Sequence, residues 1–93
     1  MISDMLYHFP RSRFVDSNGI CGQLLHIESE VAEAKAELHN PDILPVAMEI
    51  VDIYHAVETG LRILEEKYGV NVSAVMHLVA DKNEKRGYYT DGR

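Results

Sequence analysis

The sequence predicts an all-α protein: a helical hairpin plus a third helix, whose core becomes a four-helix bundle when two copies meet. Three observations carry this reading. One apolar stripe at helical spacing runs from Ile20 to Leu38. A broader one runs from Val46 to about Tyr68, after a short proline-bearing break. A glycine and an asparagine then punctuate the chain before a third, shorter apolar stripe.

The 93 residues make one domain, and the elements follow in order. Residues 1–15 hold Pro10, Arg11 and Arg13 without a clear period and read as an arm with one helical turn. Asp16, Ser17, Asn18 and Gly19 form a turn or a helix N-cap cluster. Ile20, Leu24, Ile27, Val31, Ala34 and Leu38 follow in steps of four and three, one face of an amphipathic helix. Ala32, Ala34 and Ala36 favour that helix and keep its surface flat for a close neighbour. His39, Asn40 and Pro41 end it, and Pro45 is tolerated in the first turn of the next.

That second helix carries Met48, Ile50, Val51, Ile53, Tyr54, Val57, Leu61 and Leu64. So broad an apolar face calls for burial on more than one side, hence a dimer or a dimer of dimers. Gly60 weakens the helix, and Gly69 is placed to cap its end. Asn71 or Ser73 can open the third helix, with Val72, Val75, Met76 and Val79 as its stripe. Residues 82–93 read as a basic, aromatic tail in a loop or ordered extension.

Composition narrows the function. An apolar content of 46% excludes a disordered acidic chain. The single cysteine, Cys21, excludes disulfides and a zinc framework and fits a reducing cytoplasm. A net charge of −6 argues against duplex nucleic acid, which needs a basic face, but not against a nucleotide held through a metal. With no long uninterrupted apolar run, a soluble cytoplasmic protein is expected rather than a membrane one.

The acidic residues are the distinctive feature. Glu30 and Glu33 lie three apart on the first long helix, and Glu49 and Asp52 three apart on the second. Residues at that spacing share a face, where like charges repel. Glu49 and Asp52 sit in the most apolar stretch of the chain, where an unpaired carboxylate is costly. In an antiparallel hairpin the four acids can converge, and an all-oxygen donor set suits a hard cation, Mg²⁺ or Mn²⁺. Mg²⁺ keeps positions open for substrate phosphates, which points to a nucleoside triphosphate. Spacing alone leaves this site and a solvated acidic face both open.

The order Glu30-x-x-Glu33, then Glu49-x-x-Asp52, then Lys82-Asn83-Glu84-Lys85-Arg86-Gly87-Tyr88-Tyr89 resembles the MazG-like all-alpha nucleoside triphosphate pyrophosphatases. Their hallmark is EExxE followed by ExxD, with a K-N-x-x-R-x-Y segment after the third helix in many short members. The resemblance spans about Leu24 to Tyr89, and Ser29 stands where those proteins carry the first Glu. It implies a Mg²⁺-dependent hydrolysis of a nucleoside triphosphate to monophosphate and pyrophosphate. Glu30, Glu33, Glu49 and Asp52 would hold the metal and orient the attacking water. Lys82 and Arg86 would neutralise phosphate charge, Asn83 hydrogen-bond phosphate or base, and Tyr88 or Tyr89 stack on the base.

His55 lies three beyond Asp52 but reads as packing or metal-supporting rather than a ligand, and His26 as a surface or interface residue. Cys21 has no base nearby in sequence to make it a nucleophile. Met48 and Met76 read as core fillers.

Overall fold

A computed structural model describes residues 6–90. Among them the chain is all-helical: α1 (Phe14–Ser17), α2 (Ile20–Ala36), α3 (Leu44–Tyr68) and α4 (Val72–Lys85), with a 3₁₀ turn at Glu37–His39. None of these helices is long and apolar enough to cross a membrane.

The punctuation acts locally. Asn40 ends the 3₁₀ turn, its side chain accepts the Asp42 N–H at 3.0 Å, and Asp42 in turn accepts the Leu44 N–H at 3.1 Å. Pro45 then sits in the first turn of α3. Gly69 takes a left-handed φ of 68° and closes α3, with its own N–H and that of Val70 on the Leu64 carbonyl. Of the two capping choices, Asn71 is the one used, accepting the Ala74 N–H at 3.0 Å.

α2 and α3 form the antiparallel hairpin. Gln23 meets Ala56 and Gly60 at one end, while Glu30 meets Asp52 and Glu49 at the other. Helix α3 runs unbroken through Gly60, which is buried against Gln23 and Ile27. The arm lies along the second half of α3. The Glu58 carboxylate accepts the backbone N–H groups of His8 and Phe9 at 2.8–3.0 Å, and Arg62 donates to the Phe9 carbonyl at 3.0 Å. Ser12 bonds Thr59, Tyr7 donates to Glu65, and Arg11 reaches both Glu66 and Asp16. Glu58, Thr59, Arg62, Glu65 and Glu66 recur at helical spacing, so one polar face of α3 receives the whole arm. Val15 in α1 is fully buried at its end.

Three expectations change. Helix α4 continues through Lys82 to Lys85, so the first part of the expected tail is helical. Lys82 and Lys85 suit the negative end of the helix, and Gly87 at φ 77° stops it. Its N–H bonds Glu84 and that of Tyr88 bonds Asn83, which ties off the last turn. Met48 (60% exposed) and Met76 are not core within one subunit. The apolar stripes are only partly covered: Leu24, Leu38, Val75 and Val79 are exposed, and of the third stripe only Val72 is buried. The reason is geometric, because α4 packs only sparingly on α3. Residues 1–5 and 91–93 of the expected arm and tail lie outside the described residues.

Candidate metal centre

The hairpin brings Glu30 of α2 beside Glu49 and Asp52 of α3. Each offers a carboxylate oxygen, and the three oxygens lie within 4.8 Å of one another. Glu30 and Glu49 are half-buried and Asp52 is exposed. Glu33 lies outside this group of three but hydrogen-bonds Glu30 and bears electrostatically on Glu49.

The electrostatics follow from the crowding. Burial pushes the Glu30 carboxyl above the usual carboxylate range, and Glu33 pushes it further. Glu49 is raised by burial first and then by Glu33, Asp52 and Glu37. Glu37 therefore belongs to the same acidic field. Its first-turn position after α2 gave no sign of this in the sequence. The donors are all oxygen and converge from two helices, which fits a hard divalent cation and would relieve the repulsion. Ser29 adds nothing to the group, since its hydroxyl donates to the His26 carbonyl of its own helix at 2.7 Å.

A cavity of about 260 Å³ opens beside the acids. Glu30 and Asp52 stand in its wall, with Gln23 and His26 from α2, His55, Ala56 and Thr59 from α3, and Ser12 and Phe14 from the arm and α1. His26 is thus a half-buried wall residue, tilted against Phe14 at 5.8 Å, rather than a surface group. His55 packs as expected: its ring stacks on Phe9 at 4.4 Å and 18°. Its Nε2 is enclosed without a hydrogen-bond partner among the described residues.

Lys82, Asn83, Arg86 and Tyr88 do not line this cavity. Lys82 and Asn83 lie in the last turn of α4, and the Arg86 guanidinium stands 5.0 Å over the Tyr88 ring. Cys21 is exposed, in the first turn of α2.

Sequence reasoning missed Gln23, which is 0% exposed and spans the hairpin. It donates to the Ala56 carbonyl at 2.8 Å and accepts from the Asn18 side chain at 2.9 Å. A polar residue between Ile20 and Leu24, on the side of the stripe, was the available signal. Glu58, 3% exposed, was missed because its partners are backbone groups of an aperiodic arm. The chain matches no family model, no curated protein and no solved structure.

Proposed function

We propose that the protein is a Mg²⁺-dependent nucleoside triphosphate pyrophosphohydrolase of the MazG-like kind, acting in the cytoplasm on (d)NTPs as a homodimer or homotetramer. The observation that carries this reading is the convergence of Glu30, Glu49 and Asp52 from two helices at the mouth of a cavity. Bound Mg²⁺ supplies charge neutralisation and polarisation of the triphosphate, with Mn²⁺ as a substitute. Glu30, Glu49 and Asp52 hold the cation, and Glu33 at Glu30's side orients the attacking water. Water adds to the α-phosphorus, the bond to the β-phosphate oxygen breaks, and monophosphate and pyrophosphate leave. The cavity takes the nucleoside, its volume being near the lower end, about 300 Å³, of small-molecule sites.

The assembly is proposed from uncovered apolar surface. Leu44, Met48 and Val51 line an open hollow of about 350 Å³ that ends at Asp52, and Val75, Met76 and Leu78 are exposed on α4. The radius of gyration is 15.3 Å, against about 13 Å for a compact domain of this size. A second copy covering these faces completes the four-helix core. Lys82, Asn83, Arg86 and Tyr88 remain the candidates for phosphates and base. Because none lines the cavity of its own subunit, that role needs a second copy.

The test is a panel of canonical and modified dNTPs with Mg²⁺, analysed for monophosphate and pyrophosphate. Turnover that disappears in Glu49→Gln and Asp52→Asn supports the reading, and no turnover of any nucleotide sinks it. Ser29 favours a second reading, a non-catalytic nucleotide-binding or dimerisation module, because it leaves the cluster one carboxylate poorer than the resemblance implies. That module would gain thermal stability from Mg²⁺ and a nucleotide without hydrolysing it.

A further inference from the structure

We infer that Nε2 of His55 is the hydrogen-bonding group for the 3′-hydroxyl of a bound nucleotide's sugar. This rests on the pyrophosphohydrolase reading and adds a specificity-determining residue to it. Buried polar groups in folded proteins are almost always paired. The enclosed Nε2 has no partner among the described residues, while its ring forms part of the cavity wall. The fold therefore leaves one bond unmade at the place where a ligand would lie.

The ring is also held in orientation. It stacks on Phe9, and Phe9 is fixed at its N–H by Glu58 and at its carbonyl by Arg62. A group that selects among ligands needs such support, since a free ring would turn to suit either.

Register says which part of the ligand faces it. Asp52, His55 and Thr59 mount the wall of the cavity along α3, about 5.4 Å per turn. Glu30, His26 and Gln23 descend it along the antiparallel α2. With the phosphates at the acids, the sugar follows directly and occupies the layer of His55. The base then falls in the layer of Gln23 and Thr59. A hydroxyl both donates and accepts, so it satisfies Nε2 in either tautomer, whereas a phosphate oxygen can only accept. The 3′-hydroxyl is the one that ribo- and deoxyribonucleotides share.

The test measures binding of the α,β-methylene analogues of the four 2′-deoxynucleoside triphosphates and of their 2′,3′-dideoxy counterparts, with Mg²⁺ and the full-length protein. Loss of the 3′-hydroxyl is expected to weaken binding about tenfold. His55→Phe keeps the stack on Phe9. It should weaken the deoxy analogue by the same factor and leave the dideoxy one unchanged, so that the preference vanishes. Mg²⁺-dependent binding with equal affinity for the two forms overturns the role of His55 and leaves the pyrophosphohydrolase reading standing. A preference that survives His55→Phe also overturns it. No Mg²⁺-dependent binding of any analogue overturns both. His55→Leu is read in the same way if the Phe variant does not fold.

Discussion

The carboxylate of Glu58 accepts the backbone N–H of Phe9 at 2.9 Å, joining residues 49 apart in the chain. Burial alone would push this carboxyl up, but the His8 and Phe9 N–H groups and the His8 and Tyr54 side chains pull it below its ordinary value of 4.5. A group lowered in the folded state stabilises fully above its ordinary value and loses that contribution as pH falls through the lowered one. Stability should therefore drop below pH 4.5 in the wild type and less steeply in Glu58→Gln. Glu58→Ala should cost about 2–4 kcal/mol in urea unfolding at neutral pH, because it strands several buried donors. Arg11→Ala, which removes ion pairs in open solvent, should cost far less. Equal costs would mean that the arm is not held by Glu58.

The acids predict the opposite sign. Glu30 and Glu49 are raised, so the folded state holds its protons better than the unfolded one and stability falls as pH rises past their ordinary values. At neutral pH without metal, Glu49→Gln should melt at a higher temperature than the wild type. Adding Mg²⁺ should raise the wild type and leave the variant where it was. A variant that melts lower without metal would show that the acids do not repel.

Two glycines of α3 should respond oppositely to alanine. At Gly60 a Cβ meets Gln23 Cγ at 3.6 Å and Ile27 Cδ1 at 3.8 Å, ordinary contact within a continuous helix. Gly60→Ala should therefore stabilise by about 0.5–1 kcal/mol. Gly69 is left-handed, and Gly69→Ala should cost about 1 kcal/mol. Chemical denaturation of both variants checks the pair.

Tyr7 is pushed up to about 12, by burial first and then by Glu65. Its contribution to stability is complete below pH 10 and is lost as pH rises towards 12. Absorbance titration should show a late tyrosine step that Tyr7→Phe deletes and Glu65→Gln moves down.

The proposed assembly has its own test. Met48→Lys and Val75→Asp change side chains that are exposed in one subunit, so they should leave its helicity intact. Light scattering should show the wild type as a dimer or tetramer and the double variant as a monomer. A wild type that is already monomeric at micromolar concentration removes the assembly.

The hairpin was legible because periodicity is a local property: the steps of Ile20, Leu24 and Ile27 and the break at Pro41 fix two helices without reference to anything distant. The helix ends at Gly69 and Asn71 were legible for the same reason. The meeting of Glu30 with Glu49 and Asp52 needed only the further step of folding two helices back on each other. What stayed hidden depends on an aperiodic partner. Glu58 and Arg62 are residue types of an exposed face, and only the arm buries them. Gln23 looks like a surface glutamine until Ala56 offers its carbonyl. The stripe of α4 is plain in the sequence, yet nothing in the chain says which surface covers it.

The arm leaves the ribosome before any other described segment, and its binding face on α3 is not complete until Glu66 has followed. Until then its N–H groups have only water to bond, and Phe9 has no His55 to stack on. Closing so long a loop comes late, after the hairpin has formed from nearer contacts. The wall of the cavity that Ser12 and Phe14 supply is therefore the last to be set, and the pocket beside the acids is finished by the segment that was synthesised first.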